Sequence, residues 1–179
     1  MNGYLQNAYI AIEEAIDGMT LEQMTIHCKG KWCTAEILEH LALAFGSTAK
    51  VMQRCVDCGQ PSGSKPKLRD RFVSGVVTGL GYIPEGRKAP KHVVPIGIPA
   101  QEARALVFQN LKGMDEIMQR CETQFGTKVI IADHPILGPL SLTGWRKFHW
   151  VHTRHHMKQI ARLRNESTAT AKAMAGARS

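Results

Sequence analysis

The sequence predicts an all-α protein, a four-helix bundle with a long irregular loop between helices and a frayed C-terminal tail. Three observations predict it. Apolar residues recur every three to four positions over several long segments, the spacing of helices with one buried face. Extended-chain character is confined to Val129–Ala132, a single run too short to specify a sheet. The 179 residues, 44% of them apolar, suffice for one domain with a sizeable core and are few for two. The domain is expected over residues 1–164, with 165–179 a disordered tail.

Taken in order, Tyr4 to Asp17 place Leu5, Ala8, Ile12 and Ile16 on one face and Glu13, Glu14 and Asp17 off it. This is a first helix, ended near Gly18. A short turn follows at Thr20–Met24. The next helix starts at a Cys33 or Thr34 cap, with Glu36 in the first turn where the helix dipole favours an anion. It runs to about Cys55 with Ile37, Leu41, Ala44, Thr48 and Val51 around one face. His40 points into that face beside the small residues Ala44 and Ser47, which leaves room for a ligand. After a Gly/Pro/Ser breaker at residues 59–67, residues 68–82 are expected to form a further helix, weakened by Gly75 and Gly79. Residues 83–99 hold four of the eight prolines and form a long connection of the kind that often serves as a functional rim. Pro99 suits a first helical position, and a helix runs from there to about Thr123 on Ala105, Phe108, Leu111, Met114 and Met118. A Pro/Gly-braced turn at His134–Leu140 leads to a Ser141 or Thr143 cap and the last helix. The tail after Arg164 lacks large apolar residues at helical spacing.

The last helix, Trp145 to Leu163, carries four of the eight histidines. On a 3.6-residue wheel, Trp145, His149, His156, Gln159 and Leu163 fall within roughly 60° of His152. Arg146, Lys147, Arg154, Lys158, Arg162 and Arg164 fall mostly on the opposite side, facing water. His152 and His156, at i and i+4, can share one metal ion. His40 is the best third partner, being the other histidine that clearly faces inward from a long helix; His27 and His92 lie in loops and His134 in a turn. Three histidines with open positions are the catalytic pattern, whereas closed four-ligand sites are structural. Buried, hydrogen-bonded histidines without a metal are the competing possibility. Glu36 and Glu39 lie near His40 on its helix and are candidates to orient it or move a proton. Gln159, one turn beyond His156, is a candidate substrate contact.

Other motifs are weaker. Cys55-x-x-Cys58 looks like half a zinc knuckle, but Cys28 and Cys33 lie at the far end of a helix of about 20 residues, roughly 30 Å away. Five cysteines without an export signal predict reduced thiols. Glu39-His40 is not HExxH, since residue 43 is Leu, and neither a GxSxG elbow nor a phosphate cradle occurs. The formal charge of +8 is spread over several segments with no nucleic-acid-binding signature, so nucleic acid is not the expected partner. A basic surface instead suits anionic small molecules. The N-terminal stretch lacks a basic segment followed by an apolar one, and no run of about 18 apolar residues occurs. A cytoplasmic protein without a membrane span is expected.

Trp32-x7-His40-Leu41 on an early helix, followed by Trp150, His152, His155 and His156 on the last, resembles the DinB/YfiT-like superfamily. HPILGPLSLTGWRKFHWVHTRHHMKQI and KWCTAEILEHLAL look most like its DUF1569 branch, and the resemblance covers most of the chain to about Leu163. It implies an up-down-down-up four-helix bundle with a divalent metal, Zn²⁺ or Ni²⁺ being expected, held by His40, His152 and His156; a homodimer is a separate expectation. His155 is then a bystander or a substrate contact, and His149 a neighbour behind the ligands or a substrate contact. Members with known activity are thiol-dependent S-transferases or isomerases using a low-molecular-weight thiol; this branch has no known reaction. Two functions follow as expectations. One is a metal-dependent transferase or hydrolase that activates a bound thiol or water. The other is a non-catalytic stress-response or binding module whose metal is structural or vestigial.

Overall fold

The computed structural model describes residues 1–28, 30–65, 81 and 88–176. The expected helix at 68–82 and the first part of the 83–99 connection lie outside the described residues. What is described is mainly helical: α1 (Gly3–Ile16), α2 (Leu21–Met24), α3 (Thr34–Asp57), α4 (Ala100–Phe125) and α5 (Leu142–Gly176), with a small antiparallel hairpin before α5. None of these helices is long and apolar enough to cross a membrane.

Helix α1 buries Leu5, Ala8, Ile12 and Ile16, the face its periodicity marked. Asn2 Oδ1 accepts from the Tyr4 amide at its start, and Gly18 turns the chain away at φ +68°, a conformation that costs glycine little. At 14 residues such a helix is marginal in isolation, so its stability comes from packing on α5. Each fully buried Leu or Ile contributes about 2 kcal/mol. The Thr20–Met24 turn is a single helical turn closed by a reciprocal capping box: Thr20 Oγ1 accepts from the Gln23 amide, and Gln23 Oε1 accepts from that of Thr20.

Helix α3 lies against α4 along much of its length, and their shared core includes Leu38, Leu41, Phe45, Met52, Leu111, Met114 and Met118. The buried face of α4 starts at Ala100, Ala103 and Val107; Ala105, expected inside, is exposed. Pro99 caps α4 rather than opening it.

Residues 129–141 need a correction. Ile130–His134 pairs with Gly138–Ser141, Ala132 opposite Leu140 and His134 opposite Gly138. The second strand, Gly-Pro-Leu-Ser, has too little β-propensity to be read alone. Context supplies the stability: the Trp145 indole donates to the Ala132 carbonyl, and the Ser62 amide donates to that of Ile131. Ser141 then caps α5, its hydroxyl accepting from the Gly144 amide.

The tail also differs from expectation. Helix α5 runs on to Gly176, past the point where a disordered tail was expected. Residues 165–175 contain neither Gly nor Pro, and extending an existing helix avoids the cost of nucleation, so no apolar stripe is required. Arg146, expected in water, is buried and paired with Glu122 at 2.7 Å.

Candidate metal centre

His40 stands on the second turn of α3, and His152 and His156 stand one turn apart on α5. The fold brings the three together: His152 Nε2 lies 3.2 Å from His40 Nε2 and 3.1 Å from His156 Nε2. His40 and His156 are buried, and His152 is nearly so. Their rings meet edge to face rather than stacked, and one nitrogen of each lies within 4.8 Å of the others.

The far nitrogens decide what the near ones can do. His40 Nδ1 faces the Val93 carbonyl at 2.7 Å, and His156 Nδ1 faces Gln159 Oε1 at 2.8 Å. Both partners are acceptors, so each Nδ1 carries the proton and each Nε2 presents a bare lone pair. His152 Nε2 therefore sits between two acceptors and can donate to only one. Its own Nδ1 is buried without a partner among the described residues. A neutral triad thus leaves at least one lone-pair collision, a cost of about 1–3 kcal/mol for a buried polar group.

Protonation does not relieve it. Burial lowers the pKa of His40 and of His156, to about 3. Burial, reinforced by the neighbouring rings, holds His152 well below the usual imidazole range. At neutral pH the cluster is three neutral imidazoles facing one point. Tetrahedral zinc with Zn–N bonds of about 2.0–2.1 Å sets its nitrogens roughly 3.3 Å apart, close to the separations found. The three histidines can hold a metal ion, and the donor set fits one.

The remaining candidates divide. Gln159 sits directly behind the centre: while accepting from His156, its amide nitrogen donates to His155 Nε2 at 3.1 Å. Gln159 thus orients His156 and ties His155 to the cluster. His149 is fully buried, its Nε2 3.0 Å from Thr48 Oγ1, and burial pushes its pKa down to about 3. It packs against Phe45 and Trp145, inside the wall of the site. The two carboxylates are spent elsewhere. Glu36 Oε2 accepts from the Cys33 amide at 2.8 Å and pairs with His27 at 2.9 Å, closing the start of α3. Glu39 accepts three backbone amides, of Ile96, Gly97 and Ile98. Neither lines the cavity over the histidines, so neither stands as a group that touches substrate.

That cavity has a volume of about 1030 Å³, large for a small-molecule site. Its walls include Trp32, Val51, Leu137, Trp145 and Phe148, with Ala44 and Ser47 opening the space beside His40. Among the described residues, Lys88, Lys91 and Arg162 reach it, as does Lys31, which is paired with Glu166, against Asp133 as a carboxylate, which gives this part of the lining a positive bias. Sequence reasoning missed His134. Its Nδ1 accepts from the amides of Ile136 and Leu137, both at 3.1 Å, so Nε2 bears the proton in the cavity wall. Burial lowers its pKa to about 4. The available signal was His-Pro-x-x-Gly, a polar acceptor just before a tight turn whose amides need one.

Residues 83–163 match the family model described as "Protein of unknown function (DUF1569)". The match takes in Val93, His134 and the α5 histidines and begins after His40. No curated protein and no solved structure matches the chain.

Proposed function

We propose that this protein is a divalent-metal-dependent enzyme of the DinB/YfiT-like kind, its long helices forming the up-down-down-up bundle that its motifs resemble. One observation carries the reading: three buried Nε2 atoms converge, at most one of them protonated, on the floor of a large apolar cavity. His40, His152 and His156 would hold the metal, zinc or nickel being best suited to imidazole donors. A metal at such a site lowers the pKa of the water or thiol it binds, supplying a nucleophile at neutral pH.

The chain's own groups do the rest. The Val93 carbonyl and Gln159 Oε1 fix the tautomers of His40 and His156. Trp32, Trp145 and Phe148 keep bulk water from one side of a bound molecule. Lys88, Lys91 and Arg162 favour an anionic substrate, and His134 Nε2–H offers it a hydrogen bond. Thiol transfer and hydrolysis share these requirements. A second reading, a non-catalytic binding or stress-response module, is favoured by the commitment of Glu36 and Glu39 to backbone amides, which leaves neither of these glutamates as a base beside the histidines. An open coordination position favours the enzyme.

Cobalt substitution separates these readings. Low-molecular-weight thiols added to the Co²⁺-loaded protein should produce a sulfur-to-metal charge-transfer band if S-transfer is the chemistry. Silence with every thiol, together with turnover of activated esters or amides, would assign hydrolysis. Silence in both would leave the binding module.

A further inference from the structure

Glu39 is among the most deeply buried charged side chains, at 2% exposure, and it immediately precedes the ligand His40. Its carboxylate accepts from the backbone amides of Ile96 at 2.9 Å, Gly97 at 2.9 Å and Ile98 at 3.1 Å. The neighbouring His40 donates Nδ1–H to the Val93 carbonyl at 2.7 Å. Two consecutive side chains of one helix therefore grip both ends of the strap Val93–Ile98. Its middle is lightly packed, Val94 being exposed and Pro95 half-buried, and at the gripped end Gly97 takes φ +86°.

We propose that Glu39 is a positioning residue for the metal centre, acting on His40 through this strap. Three charge-assisted hydrogen bonds fix the path of residues 96–98. That path sets where the Val93 carbonyl stands, and the carbonyl selects the His40 tautomer and points its Nε2 at His152 and His156. Partners behind metal-ligating histidines govern affinity in this way; here the control comes one residue earlier, by way of the loop. Linkage makes the effect reciprocal, so a metal on His40 tightens the strap although no strap side chain ligates it. Lys91, Val93 and Val94 line the cavity, so the same grip shapes the wall above the metal. The inference rests on the metal-site reading.

The test is Glu39→Gln in tag-free, full-length protein, with zinc affinity measured by chelator competition and backbone amide exchange followed residue by residue. Gln keeps one acceptor oxygen and turns an N–H₂ toward a backbone N–H. Zinc affinity should fall about ten- to a hundredfold at unchanged stoichiometry, and the spectrum of the Co²⁺-loaded variant should shift. In the wild type, zinc should slow exchange at Ile96, Gly97 and Ile98, and in Glu39→Gln that slowing should vanish. A folded Glu39→Gln with wild-type affinity would overturn the inference, as would wild-type strap amides indifferent to zinc. Should the variant not fold, the wild-type exchange measurement decides alone. Wild type that binds no zinc would sink the metal reading and the inference with it, an outcome set apart by the wild-type titration itself.

Discussion

Among the described residues, two clusters each gather three side chains able to ligate a metal. One is His40, His152 and His156; the other is His27, Cys33 and Glu36, at the start of α3. By distance alone they are alike. They differ in what each donor atom is already doing. In the first, the far side of two rings is satisfied by acceptors, so two near nitrogens present lone pairs to His152, which can donate to only one of them. In the second, Glu36 accepts from the Cys33 amide and from His27. Burial raises the pKa of the Cys33 thiol, keeping it protonated, and His27 is solvent-exposed. The positive end of the α3 dipole opposes a cation there as well. A site is defined by donors left without employment, and the second cluster is a helix start with all its donors employed.

The sharpest way to break this comparison is to remove one member of each. His152→Ala should weaken zinc binding by more than about a hundredfold, since losing even an outer partner can cost that much. Cys33→Ser should leave it unchanged. Chelator competition reads both, and equal losses would erase the distinction.

A second prediction concerns protons. His134 has a folded pKa of about 4 against an ordinary value of 6.5. Between those values the unfolded chain binds a proton that the folded one refuses. The associated stability is therefore complete above pH 6.5 and is lost as pH falls toward 4, amounting to about 3 kcal/mol at most. His134→Asn keeps an acceptor for the Ile136 and Leu137 amides but does not titrate. Urea unfolding of the metal-free variant should show a shallower fall of stability with acid; an unchanged slope would refute the assignment.

Gln159→Leu should lower zinc affinity about tenfold, because His156 loses the acceptor that sets its tautomer. Smallest of all, His27→Ala should change stability by less than about 1 kcal/mol, as expected for an exposed pair, and leave metal binding untouched. Thermal melts with and without zinc would show it.

The sequence carried the convergent histidines further than their surroundings. His152 and His156 were legible because i, i+4 spacing on an amphipathic helix is a local property, and His40 because it points inward among small residues. The same wheel misplaced Arg146: the hairpin and α4 approach the start of α5 from sides that a single-helix projection leaves to solvent. The role of Glu39 was illegible for a related reason. Its partners lie more than fifty residues away in an irregular strap, where no periodicity reports the path of the chain. His134 hid likewise, because a turn inside a weak hairpin gives no sign of facing a cavity.

The central claim is that the three convergent imidazoles form a metal centre. X-ray absorption of tag-free protein after incubation with zinc and dialysis tests it most directly. One equivalent per chain with three imidazole nitrogens and no sulfur in the first shell is the expected result. Protein that retains no zinc, or a first shell containing sulfur as the Cys33 cluster would supply, would contradict it.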